Sequence, residues 1–340
     1  MAGFGVLFAL LVVSVGAYTR LADAGLGCPD WPGCYGFLTV PDQAEEISVA
    51  EQRYPDAPVE FVKAWWEMGH RYIAGALLVL VFAMLVLAYR GRQHEETPLA
   101  LASVLMVVIL CQAAFGAWTV TLKLWPQVVT GHLLGGFTTL SLIWLLYLRQ
   151  GGFEHIVSTL PAPTPLARLA FAAVVIQIML GGWVSSNYAA LACFDFPSCN
   201  GTYSPPMDLQ EGFNIFQSVG PNYLGGIMTS EARTAIHWVH RIGAIVVLVV
   251  VGSLVLQIVR QAAVVGYVLL AALLSQITLG ILNVVWLLPL LNATAHNTVG
   301  ALLLLVLVTI NFAPQLRTVQ SAPRLDYEPP RLEIVTPHYE

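Results

Sequence analysis

The segment Cys28-Pro-Asp-Trp-Pro-Gly-Cys-Tyr-Gly36 recurs later in the chain as Cys193-Phe-Asp-Phe-Pro-Ser-Cys-Asn-Gly201. Two cysteines, an aspartate, an aromatic residue, a proline and a glycine match in register. Self-similarity at a fixed offset is typical of a duplicated structural unit. The segment therefore predicts that the chain consists of two similar halves.

Two further blocks repeat in the same order. Glu67-Met-Gly-His-Arg71 corresponds to His237-Trp-Val-His-Arg241. The third block pairs Gln112, Gly116, His132 and Gly136 with Gln276, Gly280, His296 and Gly300. The offsets of the three blocks are 165, 170 and 164 residues. The halves therefore differ by small loop insertions and deletions.

The composition of the 340-residue chain is that of a membrane protein. Hydrophobic residues make up 57% and charged residues 10%, whereas about a quarter of the residues of soluble domains are charged. A membrane-spanning helix needs about 20 predominantly apolar residues. Eight stretches meet this condition, namely 3–20, 68–89, 99–121, 129–149, 167–187, 235–258, 263–283 and 291–313.

Eight spanning helices in two copies predict four helices per half. An even number gives both copies the same orientation, with a symmetry axis along the bilayer normal. The expected fold is an all-α integral membrane protein of two pseudo-symmetric four-helix bundles. The predicted divisions are an N-terminal half 1–150, a cytoplasmic linker 151–166, a C-terminal half 167–313 and a cytoplasmic tail 314–340.

The distribution of charge predicts the orientation. Arginines concentrate in the loops that lie inside if the N-terminus is cytoplasmic, whereas the acidic segment 23–60 then lies outside. Because cytoplasmic loops carry an excess of basic residues, we expect both termini in the cytoplasm. The net charge of −5 reflects acidic outer loops and does not indicate a nucleic-acid partner.

The cysteines form two close pairs in predicted outer loops, Cys28 with Cys34 and Cys193 with Cys199. An oxidising compartment permits disulfides, so we expect one in each loop. Free or redox-active thiols are the alternative, and metal binding is less favoured because no outer-loop histidine lies nearby. Cys111 falls in the middle of a helix and is expected to act as a small apolar residue.

Four of the eight histidines belong to the repeat: His70, His132, His240 and His296. Each begins an even-numbered predicted span, so all four are expected at a similar depth near the outer face. Isolated polar residues often join helices in membranes. Pairs in register on the same two helices of each repeat instead favour ligation, since intramembrane ionisable residues are usually functional.

Two histidines per half suit the two axial positions of one haem iron. Zinc and copper also bind imidazole, but a tetrapyrrole supplies four nitrogen ligands of its own. Glycines in the same helices would let a flat macrocycle approach the backbone, or they only allow close helix packing. These are Gly75, Gly116, Gly135, Gly136, Gly243, Gly280 and Gly300. Arg71 and Arg241 follow a histidine and are candidates for pairing with haem propionates; contact with lipid head groups is the alternative.

The halves differ at one position of the repeat. Glu67 lies three residues before His70, whereas His237 stands at the matching position of the second half. A charge at the bilayer centre costs about 2.5 to 3.5 kcal/mol on insertion scales. Either Arg71 pairs with the carboxylate, or Glu67 acts as a proton acceptor or cation stabiliser in chemistry confined to the first half.

Three segments together resemble the haem A synthase family: Gly16-Ala-Tyr-Thr-Arg20, Gly25-Leu-Gly-Cys-Pro-Asp-Trp-Pro32 and Glu67-Met-Gly-His-Arg71. The resemblance extends over nearly the whole chain. It implies conversion of haem O to haem A for terminal oxidases, by successive hydroxylations of a ring methyl that end in a formyl group. It also implies a bacterial cytoplasmic (inner) membrane location.

The resemblance implies a division of labour between the halves. His70 and His132 would be the axial residues of the substrate haem O, and Glu67 the essential carboxylate. His240 and His296 would hold a haem B cofactor that passes electrons. Haem O synthase and an unidentified electron acceptor are the expected partners, besides the lipid bilayer.

Two other functions are compatible with the same pattern. A di-haem electron carrier of the cytochrome b type would leave both porphyrins unchanged, but haems at equal depth could not carry electrons across the bilayer. A transporter with an internal repeat would have interrupted helices at the midplane, which the sequence lacks.

Overall fold

The computed structural model describes residues 1–93 and 97–320, with side chains as far as residue 313. This part of the chain folds into helices, eight of them long and apolar enough to cross a membrane, as predicted. The helices are α1 Ala2–Leu21, α2 Ala44–Arg53, α3 Phe61–Arg90, α4 Leu99–Thr121, α5 Pro126–Arg149, α6 Glu154–Val157, α7 Pro165–Ser186, α8 Leu209–Gly212, α9 Ser230–Ile258, α10 Ala263–Val285 and α11 Leu290–Gln320.

The histidine-bearing helices begin earlier than predicted. α3 begins at Phe61 and α9 at Ser230, because each continues through a polar and aromatic segment before the apolar stretch that marks the bilayer. Thr229 caps α9 by accepting a hydrogen bond from the backbone N–H of Ala232 at 3.3 Å. The prediction that each histidine opens its helix was therefore wrong. His70 and His240 lie nine and ten residues after the first residue of their helices, and His132 and His296 lie six residues after theirs.

Each set of four long helices packs as a closed ring. In the first set, α1 contacts α3, α3 contacts α4, α4 contacts α5 and α5 contacts α1. The second set repeats this order with α7, α9, α10 and α11. The rings join through α1 with α11, α5 with α7 and α5 with α11. The pattern supports the predicted pseudo-symmetry, which stays a prediction.

The centre of the molecule is apolar, with polar links where the rings meet. A continuous cluster of buried apolar side chains extends through both rings and packs their helices closely together. Ser14 and Thr298 share a hydrogen bond of 2.9 Å, and Thr130 and Ser186 share one of 3.1 Å. These hydroxyls connect the first ring to the second.

The loops that follow α1 and α7 hold the two predicted disulfides, Cys28–Cys34 and Cys193–Cys199. The second of these loops continues as far as α9 and reaches over the first ring. Trp125 Nε1 donates to the carbonyl of Gln217 at 3.1 Å, and Gln127 Nε2 donates to that of Ile215 at 2.8 Å. The predicted linker 151–166 contains α6, and α11 continues past the predicted tail boundary to Gln320. The rest of the tail, 321–340, lies outside the described residues.

Candidate functional site

The four repeated histidines lie on helices at opposite corners of the two rings. His70 is on α3 and His132 on α5, while His240 is on α9 and His296 on α11. In each half, the two helices that carry the histidines face each other across the ring of four helices. Each half therefore places two imidazoles on opposite helices of one ring, and their pairing around a common ligand stays a prediction.

Every one of these imidazoles packs against a glycine of a neighbouring helix. An added Cβ at Gly16 would lie 2.7 Å from Cε1 of His70, and one at Gly116 would lie 3.4 Å from Cε1 of His132. The corresponding distances are 3.3 Å from Gly181 to His240 and 3.1 Å from Gly280 to His296. The absence of a side chain at these glycines allows each imidazole to lie directly on the backbone of the neighbouring helix.

Gly16 and Gly181 were not assigned a role from the sequence, although they are separated by the same 165 residues as the cysteine loops. That shared offset is the signal that could have identified them. By contrast, an added Cβ at Gly75 would meet nothing within 4 Å. The structure therefore connects Gly16, Gly116, Gly181 and Gly280 to the histidines, and it gives no such contact for Gly75.

Glutamine side chains contact the second pair of histidines. Gln177 Nε2 lies 3.1 Å from Nδ1 of His240 and donates to the His240 carbonyl at 2.9 Å. His296 Nδ1 lies 3.1 Å from the carbonyl oxygen of Gln276, and the amide of the same glutamine lies 3.3 Å from His296 Nε2. Gln177, like Gly16 and Gly181, is a residue to which the sequence pattern gave no role.

Glu67 is buried on α3, one turn before His70, with its side chain fixed from two sides. The backbone N–H of Cys28 donates to Oε2 at 2.9 Å, and Arg71 forms an ion pair with Oε1. Only 5% of the residue is exposed. The pairing of Arg71 with Glu67, which the sequence left open as the alternative to a catalytic role, is therefore present. It holds an oriented carboxylate one turn before His70, and the catalytic role stays a prediction.

The matching position of the second half is organised differently. His237 is 5% exposed, and its Nδ1 lies 3.0 Å from the carbonyl oxygen of Ala189. The imidazole of His237, joined to a backbone carbonyl, holds the loop that follows α7 but offers no carboxylate. The asymmetry predicted from the sequence is thus a difference in the chemistry beside two otherwise similar histidine pairs.

Arg71 and Arg241 both hold the cysteine loops. Arg71 Nη1 donates to the carbonyl of Gly33 at 2.5 Å. Arg241 donates to the carbonyls of Ser198 at 2.7 Å and Cys193 at 3.1 Å. The two guanidinium groups therefore join each histidine helix to its disulfide loop. Their proposed pairing with propionates has to use the donors that these contacts leave free.

The disulfide loops carry aligned backbone N–H groups around an aspartate. Asp30 accepts from the N–H of Tyr35 at 2.6 Å and of Gly36 at 2.7 Å. In the second loop, the Ser198 hydroxyl and the Gly201 N–H lower the pKa of the Asp195 carboxyl. The repeated aspartate thus stabilises the same turn in both loops.

Tyr35, in the first of these loops, has a buried phenol. Burial, with smaller effects of the negative charges of Glu60 and Glu67, raises the pKa of this phenol to about 12.

The side chains present fit a porphyrin better than a bare metal ion. Within 1–93 and 97–320, no three His, Cys, Asp or Glu side chains come together as ligands of one ion. Zinc sites in proteins usually have three or four such ligands. A porphyrin iron needs two axial ligands, which is the number that each half provides.

The fold and the site define a class, an all-helical membrane protein with two pairs of partly buried histidines. The chain belongs to the COX15-CtaA family, described as cytochrome oxidase assembly protein, whose model matches residues 2–308. It is 46% identical to the Heme A synthase of Shewanella oneidensis, over 90% of this chain and 93% of that protein. The Heme A synthase of Methylorubrum extorquens is 30% identical over 90% of this chain and 84% of that protein.

Proposed function

We propose that the chain is a haem A synthase, an oxidoreductase that converts the ring methyl of haem O to the formyl group of haem A. Family membership and the shared name of the relatives support this assignment. The observation that carries it is the carboxylate Glu67 beside one histidine pair, where the other half has His237. Two equivalent electron-transfer sites would not need that difference.

The first half is the proposed substrate site. His70 and His132 would bind the iron of haem O, and the long isoprenoid tail would remain in hydrocarbon, since transfer of apolar surface into water is unfavourable. Arg71 and, in the other half, Arg241 are the proposed partners of the propionates. Glu67 lies on the same helix as His70, so its carboxylate would be held at the edge of the substrate.

Glu67 is suited to accept protons during the oxidation. Conversion of a methyl to a formyl group with an oxygen taken from water releases four electrons and four protons. Cys28 and Arg71 keep the carboxylate oriented, and an oriented base avoids reorganisation in the transition state. The carboxylate would also stabilise positive charge that develops at the methyl carbon.

The second half is the proposed cofactor site. His240 and His296 would hold haem B, which supplies one-electron transfer when bound. Gln177 and Gln276 contact these two imidazoles, so the ring orientations are constrained. His237 and Arg241 tie α9 to the second disulfide loop.

The surroundings of the enzyme follow from its substrate and its helices. Eight spanning helices indicate a multi-pass membrane protein. We propose that it lies in the bacterial inner membrane with both termini cytoplasmic. A haem O synthase would supply the substrate, and an unidentified acceptor would take the electrons.

Replacement of Glu67 by Gln tests the proposed function. The amide can still accept the Cys28 hydrogen bond but can neither take up a proton at neutral pH nor neutralise Arg71. Since general base catalysis typically contributes 10² to 10⁴ in rate, we expect haem A formation to fall at least about 100-fold, with accumulation of haem O or its alcohol. The measurement is chromatography of the pigments extracted from purified protein.

Glu60→Gln is the matched control, because Glu60 precedes the same helix and pairs with Lys63 in an exposed ion pair. We expect normal haem A formation from this variant. Normal haem A formation from Glu67→Gln, with wild-type haem B content, would refute the role of Glu67. Haem B as the sole pigment of the wild type, at two per chain, would refute the synthase assignment.

A further inference from the structure

The side chain of Gln177 lies between α7 and the histidine of α9. Its Nε2 is 3.1 Å from Nδ1 of His240 and donates to the His240 carbonyl. An added Cβ at Gly243 would overlap the Gln177 amide, so the glutamine is held against α9. Its Oε1 is buried and without a hydrogen-bond partner among the described residues. As placed, the amide N–H groups face both Nδ1 and the His240 carbonyl, which orients the imidazole. Rotation of the amide by 180° would present Oε1 to an Nδ1–H and would give up the hydrogen bond to the carbonyl.

The first half has no equivalent of this glutamine. Gly16 and Gly181 occupy matching positions, since each lies against the first histidine of its half. With the same offset of 165 residues, Val12 is the residue of the first half that aligns with Gln177. Valine can neither donate nor accept a hydrogen bond. His70 Nδ1 is correspondingly buried without a partner within the described ranges.

The second histidine of each half shows the same difference. His296 Nδ1 is 3.1 Å from the carbonyl oxygen of Gln276, a contact that Gly280 allows because the ring lies directly on α10. His132 also lies over a glycine, but its Nδ1 is buried and has no partner in the described part of the chain. The structure thus partners Nδ1 of both histidines in the second half and of neither in the first.

Partners of this kind control how firmly a histidine holds a metal. A hydrogen bond from Nδ1–H to a carbonyl fixes the tautomer and the ring orientation and makes Nε2 a stronger ligand, and its loss typically lowers metal affinity 10- to 100-fold. Imidazoles without such a partner bind the metal less firmly and reorient more freely. The difference suits one site that retains its porphyrin and another that exchanges substrate for product.

We infer that Gln177 is a positioning residue that makes the second half retain its porphyrin, while the unpartnered histidines of the first half permit exchange. This inference rests on the proposed function, because it assumes one bound porphyrin in each half. It goes beyond that function by assigning the difference in exchange to a residue outside the four histidines.

The test compares porphyrin loss from the holoprotein with that from Gln177→Met, a substitution of similar size that lacks the amide. Purified protein in detergent is mixed with excess apomyoglobin as the porphyrin acceptor, and the pigments left on the protein are separated by chromatography. We expect haem B to leave the variant about tenfold faster than the wild type. Loss of haem O or haem A from the first half should remain unchanged, which is the internal control for folding.

Two further variants separate positioning from packing. Val12→Ala, at the matching position of the first half, should leave the rate of haem B loss unchanged. Gln177→Glu restores an acceptor for Nδ1–H, so it should restore slow loss and lower the reduction potential of haem B below that of the wild type. Because a new negative charge alone would also lower the potential, the uncharged Gln177→Met variant supplies the decisive reading: loss of the Nδ1 partner should raise the potential of haem B, whereas a residue needed only for packing would leave it unchanged.

The inference is overturned if Gln177→Met loses haem B at the wild-type rate, or if it loses the pigments of both halves equally. Failure of the proposed function gives a different result, since the wild-type protein itself would then lack porphyrin or form no haem A. Measurements on the wild-type protein therefore test the proposed function, and the comparison with Gln177→Met tests this inference separately.

Discussion

Gly16→Ala is expected to displace a proposed iron ligand by a known distance. The new Cβ would lie 2.7 Å from Cε1 of His70, whereas carbon atoms pack best at about 3.5 to 4.0 Å. The ring therefore has to move by about 0.8 Å to reach ordinary contact. Functional groups need to be held within about 0.5 Å of their productive positions. The substitution should consequently impair binding in the first half.

The size of the effect follows from the cost of overpacking, about 1 to 3 kcal/mol. This range corresponds to about 5- to 150-fold weaker binding of the first-half porphyrin. The other three glycines give a graded series, because their added Cβ atoms would lie 3.1, 3.3 and 3.4 Å from the facing ring at Gly280, Gly181 and Gly116. We expect porphyrin loss to decrease in that order, with Gly116→Ala close to wild type.

The assay is the content of each pigment per chain after purification, separated by chromatography. Gly16→Ala should lose haem O and haem A but keep haem B, and Gly280→Ala should affect haem B first. Gly252→Ala is the control, since an added Cβ there would meet nothing within 4 Å. Equal loss of all pigments in every variant, or full retention by Gly16→Ala, would refute the reasoning.

Two other predictions concern the outer loops. The folded-state pKa of Tyr35 is about 12, above its ordinary value of 10.0, so the unfolded chain ionises first and stability should fall as pH rises from about 10 to about 12. Thermal melts in this range should show a shallower fall for Tyr35→Phe; an equally steep fall would contradict the assignment. Replacing both Cys28 and Cys34 by Ser should lower the free energy of unfolding by about 2 kcal/mol, the chain-entropy value for such a short loop. An unchanged melting temperature of this variant, with the disulfide shown to be present in the wild type, would contradict that prediction.

Much of the fold could be predicted because the signals are strong and independent. Apolar stretches of about 20 residues identify spanning helices, and the repeated Cys28–Gly36 segment relates the halves. Helix starts were harder to predict, since α3 begins seven residues before the predicted span, at Phe61. Hydropathy detects the bilayer, whereas a helix continues as far as its backbone hydrogen bonds and caps allow.

The candidate site could be predicted only in part. Residue type and register were sufficient to select the four histidines and Glu67. The packing of His70 on Gly16, and the contact of Gln177 with His240, depend on which helices are neighbours in the ring. The correspondence of Val12 with Gln177 becomes apparent only once the packing of Gly16 on His70 and of Gly181 on His240 relates the two halves.

The central claim is that paired imidazoles hold one porphyrin in each half, and electron paramagnetic resonance of the oxidised holoprotein tests it most directly. We expect two low-spin signals of bis-histidine haems per chain. His132→Ala should remove the signal of the first half, and His296→Ala that of the second. A protein that is colourless after expression in haem-replete cells, or whose two signals both survive these substitutions, would contradict the account.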